Sequence, residues 1–263
     1  MDNISYVFFG STNYSKNLLL FLIKKKFIPK AIFSSPKEYH ISHSAEKVKN
    51  YNYANLQEIA DEYKIPFYEI DSIDGKRIKD YEPIIKKLEL NLILVLGWYY
   101  KLPRSLRELS KLGAWGIHAS LLPKYAGGAP LTWAIINGET QTGVTLFKLD
   151  DGVDDGDIIL QRLFKIEEND TIKEVYEKAT ILSKEILLDS LVNINNIKFT
   201  PQDKRNIIIY PQRRPEDGEI DLSKTAAEIH NFVRAQSSPY PGAFIIPVDK
   251  KKLIIEKTRV ELS

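Results

Sequence analysis

The chain has 263 residues, 43% hydrophobic and 27% charged, with 13 Gly and 13 Pro spread along it, so it can bury a sizeable core and wholesale disorder is excluded. Zero cysteines exclude disulfides, a thiol nucleophile and a thiolate metal site, and are compatible with a reducing cytoplasm. Lys plus Arg is 37 against 35 for Asp plus Glu, and a net charge of +2 is a smaller basic excess than nucleic-acid binders show, so no nucleic-acid partner is expected.

The opening MDNISYVFFG lacks the basic start and long apolar core of a signal peptide, and no apolar run approaches the ~20 residues of a membrane span. A soluble, cytoplasmic protein with no membrane partner is expected. Ser5 to Phe9 reads as a buried strand, Gly10 to Asn13 as a turn, and Tyr14 to Lys26 as a helix with Leu18, Phe21 and Leu22 on one face. Ala31 to Ser34 is the next strand. Pro36 to Tyr53 is polar, and its His40 and His43 have no further ligand at metal spacing, so a mobile surface loop is expected there.

Helical patterns over Asn55 to Tyr63 and Lys76 to Leu88 alternate with strands at Phe67 to Ile70 and Asn91 to Leu96, the last a continuous apolar run of central-strand type. This alternation predicts an α/β fold with a mostly parallel sheet and helices on both faces. Ligands in such sheets sit beyond the carboxyl ends of the strands, where Gly97-Trp-Tyr-Tyr-Lys-Leu-Pro103 emerges. Trp98, Tyr99 and Tyr100 either face a substrate there or pack under the loop, and the pattern leaves both open.

Between Gly113 and Asp157, apolar runs end in turns rich in Gly, Pro and Asp, with His118 after one strand-like run and Asp154 after another. A His and a carboxylate on neighbouring strand ends make an oriented general base. The two pieces HASLLPKYAGGAP and INGETQTGVTLFKLDDGVDDGDII resemble the formyltransferases that use N10-formyltetrahydrofolate, whose substrates include methionyl-tRNA, glycinamide ribonucleotide and nucleotide-linked sugars. The match spans about forty residues with fixed internal spacing, and GWYYKLP with PEDGEID resembles the nucleotide-sugar branch.

After this stretch Ile158 to Phe164 reads as a strand, Thr171 to Glu174 as a capping box opening a helix to about Asn195, Thr225 to Ala235 as a helix, and Ala243 to Val248 with Leu253 to Leu262 as a hairpin. The expected organisation is a Rossmann-like catalytic domain over residues 1–200 and a small helix and β-hairpin unit over 205–263. By resemblance that short tail supports a homodimer, whereas a methionyl-tRNA formyltransferase carries a larger β-barrel tail.

The resemblance further implies that the loop after the fourth strand holds the pterin of N10-formyltetrahydrofolate largely through backbone groups, which assigns Gly97, Trp98, Lys101 and Leu102, with Asp154, to the cofactor. Tyr99, Tyr100, Lys124 and Tyr240 are assigned to the substrate, and Lys101 is also a candidate contact for a phosphate or carboxylate. No metal is implied, and the spacing of Asp150, Asp151, Asp155 and Asp157 matches no EF-hand loop.

Formyl transfer needs a neutral amine, donors for the developing oxyanion, and a group that removes the amine proton. An imidazole takes that proton at neutral pH, while a carboxylate fixes its tautomer and stabilises its charged form. His118 and Asp154 fit these roles. The family pattern reads Asn-x-His, and here Gly116 stands at the Asn position; losing such a donor costs ~2.7 to 4 kcal/mol. A water or backbone N–H in the room left by the glycine is expected to substitute, failing which the chain is slow or only binds. Ser120 is expected to serve the turn, and Ala126 stands where many relatives have Arg, which makes Lys124 a candidate anion contact. The expected reaction is N-formylation of a dTDP- or GDP-linked amino-dideoxy sugar destined for a surface polysaccharide such as O-antigen. The alternatives are methionyl-tRNA formylation, a non-catalytic folate or nucleotide-sugar binding protein, and a hydrolase releasing formate.

Overall fold

The computed structural model describes residues 4–39, 47–50, 52–71 and 73–261; His40 and His43 lie outside the described residues. In chain order the elements are β1 (Tyr6–Phe9), α1 (Asn13–Lys24), β2 (Ala31–Ser34), β3 (Glu38–Tyr39), β4 (Val48–Lys49), α2 (Gln57–Tyr63), β5 (Phe67–Glu69), α3 (Glu82–Lys87), β6 (Leu92–Val95), α4 (Arg104–Arg107), β7 (Ala114–His118), β8 (Ala126–Gly127), α5 (Pro130–Ile136), β9 (Gln141–Lys148), β10 (Ile158–Lys165), α6 (Ile172–Val192), β11 (Ile209–Tyr210), α7 (Ala226–Ala235), β12 (Ala243–Ile245) and β13 (Leu253–Ile255). They form two compact units, one of Met1–Ile117, Leu146–Asp151 and Ser183–Phe199, the other of His118–Thr145, Gly152–Leu182 and Thr200–Ser263.

The first unit is built on parallel strands in the order β7-β6-β1-β2-β5, within a sheet whose full order is β10-β9-β7-β6-β1-β2-β5. Val7 pairs with Ala31 on one side and Ile93 on the other, and Leu94 pairs with Trp115. Tyr6, Val7, Phe8 and Phe9 are all fully buried, as are Leu92, Ile93 and Leu94, which is why these strands carry no polar alternation. Each such side chain contributes about 1.5–3 kcal/mol of burial. Phe9 stacks on Phe33 at 4.6 Å between ring centroids, and Phe33 on Tyr68 at 5.1 Å.

Helix α1 starts in a capping box: Thr12 N donates to Ser15 Oγ and Ser15 N to Thr12 Oγ1, both at 3.1 Å. The helix expected over Lys76 to Leu88 is instead a 3-10 segment, Ile73–Tyr81, followed by α3. Pro83 sits in the first turn of α3, where its missing N–H is harmless, but it cannot continue a helix from the preceding turn.

In the second unit Thr171 N donates to Glu174 Oε2 at 2.8 Å at the start of α6, one half of the expected capping box, while Thr171 Oγ1 accepts from Lys173 N at 3.2 Å. Helix α7 and the antiparallel pair β12 and β13 share an apolar cluster of Ile220, Val233 and Ala243. Strand β11 pairs in parallel with β8, Ile209 opposite Ala126 and Tyr210 opposite Gly127. Among the described residues no helix is long and apolar enough to cross a membrane.

Candidate active site

In the second unit His118 ends β7 with a side chain only 10% exposed. Its Nε2 lies 2.7 Å from the carbonyl oxygen of Tyr125, and its Nδ1 lies 3.4 Å from Asp154 Oδ2. A carbonyl only accepts, so Nε2 carries a hydrogen and donates. The neutral ring is therefore the Nε2–H tautomer, with its lone pair on Nδ1 beside the carboxylate. The expected pair is brought together, but the tautomer is fixed by Tyr125 and not by Asp154.

Asp154 occupies the left-handed region at φ 50°, and its Oδ2 also accepts from the backbone N–H of Gly127 at 2.8 Å. The Gln202 amide nitrogen donates to the carbonyls of Asp154 and Gly156 at 2.8 and 2.6 Å. Ser120 is fully buried and serves the turn, donating through Oγ to Lys124 O at 2.6 Å, while its own carbonyl accepts from Thr145 Oγ1 at 2.7 Å. That turn delivers Tyr125 to His118 and leaves the Lys124 side chain exposed. Tyr125 stacks on Tyr210 at 4.8 Å, and its hydroxyl donates to Glu139 at 2.8 Å. Burial, and less strongly Glu139, pushes its phenol up to about 12. Tyr240 lies against Tyr176, with 2.6 Å between hydroxyl oxygens.

In the first unit the loop after β6 is locked to the start of α1. Ser15 Oγ donates to Leu96 O at 2.6 Å, Ser11 N to Gly97 O at 3.1 Å, and Gly97 takes φ 67°. Trp98 packs edge-on against Phe9 and Tyr100, while Tyr100 and Leu102 are 8% and 4% exposed. The exposed aromatic of the loop is Tyr99, whose hydroxyl donates to Asn50 Oδ1 at 3.2 Å. Packing thus takes Trp98, Tyr100 and Leu102, because an apolar core lies directly beneath. Lys101 remains exposed and donates to the carbonyl of Asp151 at 2.7 Å.

Gly116 has less free room beside it than its missing side chain suggests. A Cβ there would lie 2.9 Å from Leu149 Cδ2, so the space directly beside the glycine is taken up by a leucine methyl. The acidic run is divided among cations: Arg107 binds Asp151 and the Leu149 carbonyl, and Lys204 binds Asp155 at 2.8 Å. Among the described residues no three His, Asp or Glu side chains are grouped to hold a metal.

Sequence reasoning missed Tyr125, Gly127 and Gln202. The first two lie inside the recognised motif but act through backbone atoms, which leave no side-chain signature; the Gly127-Gly128 pair was the one available hint.

Comparison with known proteins places this arrangement. The "Formyl transferase" family matches residues 28–191 and the "Formyl transferase, C-terminal domain" residues 213–263. The chain is 37% identical over 211 residues to the methionyl-tRNA formyltransferase of Clostridioides difficile (strain 630), covering 77% of this chain and 67% of that protein. It is 36% identical over 222 residues to the bifunctional polymyxin resistance protein ArnA of Wigglesworthia glossinidia brevipalpis, covering 83% of this chain but 33% of that longer protein. In fold it is similar to WlaRD, a sugar 3N-formyl transferase solved with dTDP and 5-N-formyl-THF, with a TM-score of 0.66 and 24% identity over 89% of this chain and 80% of that one. With its motif, its sheet and more than half of its length matched, this chain belongs to the formyl transferase family.

Proposed function

We propose that the protein transfers a formyl group from N10-formyltetrahydrofolate to the amine of a dTDP- or GDP-linked amino-dideoxy sugar. The observation that carries the reaction class is the His118 ring, with Nε2–H committed to Tyr125 O and Nδ1 3.4 Å from Asp154 Oδ2. Nδ1 is the one ring nitrogen free to take the amine proton. Once it does, Asp154 accepts the new N–H, and a charge-assisted hydrogen bond stabilises the imidazolium.

The donor supplies the formyl group at its reactive oxidation level. The loop at residues 97–102 supports a place for it, since Trp98 Nε1 is buried there with no hydrogen-bond partner and its backbone follows the carboxyl end of β6. The nucleotide sugar is supported by the GWYYKLP and PEDGEID sequences and by the dTDP in the WlaRD structure. Lys101, Lys124, Tyr99 and Tyr240 remain the proposed polar contacts, with surface polysaccharide as the destination of the product and a homodimer in the cytoplasm as the working form. A second reading, methionyl-tRNA formylation, is favoured by the 37% identity to that enzyme.

The test is mass spectrometry of dTDP- and GDP-linked amino sugars, and of charged initiator tRNA, incubated with the protein and N10-formyltetrahydrofolate. One sugar is expected to gain a formyl group, and His118→Ala is expected to lower turnover by roughly 10²- to 10⁴-fold. Formylation of tRNA alone would refute the sugar assignment, and full activity in both His118→Ala and Asp154→Asn would refute the mechanism.

A further inference from the structure

We infer that Gln202 is a positioning residue for Asp154, an inference that rests on the formyl-transfer reading above. The segment after Phe199 returns along the loop that carries the carboxylate. Ile158 and Thr200 form an antiparallel bridge, each N–H donating to the other's carbonyl at 2.8 Å. In that register the residue two beyond Thr200 faces the residue two before Ile158, so Gln202 comes opposite Gly156. Its single amide nitrogen then spends both hydrogens on the loop, 2.8 Å to Asp154 O and 2.6 Å to Gly156 O.

Two further features mark this as a clamp on the loop. Asp154 is a non-glycine residue at φ 50°, a left-handed conformation that an aspartate tolerates but that is less favourable than an extended one, so a bond that fixes it has something to hold. Gln202 is 8% exposed, and its Oε1 is buried with no hydrogen-bond partner, so the side chain is held for its N–H groups and leaves its acceptor unmet. The backbone it fixes sets the direction of the Asp154 side chain, whose Oδ2 reaches Gly127 N and faces His118 Nδ1. Without the amide the carbonyls of Asp154 and Gly156 lose this donor, and the left-handed turn loses its anchor.

The test uses Gln202→Met, which keeps length and loses both donors, in the full chain. Expected results are a kcat lowered about tenfold or more with KM for donor and acceptor within threefold, and less than twofold further loss when the change is added to Asp154→Asn. A crystal structure of Gln202→Met is expected to show Asp154 out of the left-handed region and Oδ2 away from Gly127 N. That readout does not depend on activity, so it decides the inference even if the wild-type protein transfers no formyl group and the functional reading falls. The inference is overturned by an unchanged Asp154 in that structure, by wild-type kcat, or by losses that multiply with Asp154→Asn. It is also overturned if Gln202→Met and Gln202→Glu both fail to fold, because Gln202 then holds the fold rather than the carboxylate.

Discussion

Gly97→Ala tests the junction that positions the loop after β6. Gly97 has φ 67°, and a Cβ built on it would lie 2.2 Å from Thr12 Oγ1 and 2.4 Å from Ser15 Oγ. The left-handed backbone alone costs about 1–2 kcal/mol for an alanine. The clash cannot be relieved by a flexible tip, since both hydroxyls belong to short side chains tied into the capping box of α1. Breaking that box adds about 1 kcal/mol, so a loss of about 2–3 kcal/mol is expected. Gly113→Ala is the control: φ is 75°, but its Cβ meets only Lys148 Cε, the movable end of a long side chain, at 2.8 Å. Urea unfolding at constant m-value measures both variants. If Gly97→Ala costs no more than Gly113→Ala, the clash with the cap hydroxyls carries no weight and the account of this junction is wrong.

Two other predictions concern the site. Gly116→Ala is expected to destabilise by about 1–3 kcal/mol through overpacking against Leu149, and Gly116→Ala with Leu149→Ala to lose less than the sum of the single changes; strict additivity would show that the two do not compete for space. Tyr125 ionises in the unfolded chain at the usual tyrosine value of 10.0 but in the folded protein only at about 12. The folded state therefore holds the proton longer, and the stability this gives is intact below pH ~10 and lost as the pH rises towards ~12. Alkaline unfolding should be shallower in Tyr125→Phe, and an unchanged curve would refute the assignment.

The strands of the first unit were legible because Tyr6 to Phe9 and Leu92 to Val95 are covered on both faces, which writes burial into the sequence as an unbroken apolar run. His118 and Asp154 were legible because both are side chains within one recognised motif, and the structure sets them 3.4 Å apart. Their support was not. Tyr125 acts through its carbonyl and Gly127 through its N–H, groups every residue type shares, and Gln202 reaches Asp154 across 48 residues of chain. The fate of Trp98 and Tyr100 was equally hidden, since an aromatic at the end of a central strand serves a core or a ligand equally well until the layer beneath it is known. Gly116 misled for a related reason: a missing side chain announces space, but Leu149, 33 positions on by residue number, decides whether the space is filled.

The hydrogen bonds around His118 also separate two tasks that one imidazole is often asked to share. With Nε2–H held by Tyr125 O, the neutral ring has no free N–H to offer a formyl oxygen, and once protonated it gives the Nδ1 hydrogen to Asp154. Gly127 N–H is engaged by the same carboxylate, and Gly116 brings no side-chain amide. On the proposed reaction this group of residues has a place for proton removal, while polarisation of the oxygen is not assigned to any of them. The same arrangement changes what Asp154 does. Where a carboxylate fixes the tautomer, replacing it by an amide points the wrong nitrogen at the substrate. On the proposed reaction Tyr125 O holds the Nε2–H tautomer without help from position 154, so the expected effect of Asp154→Asn is a lost stabilisation of the imidazolium rather than a switched tautomer.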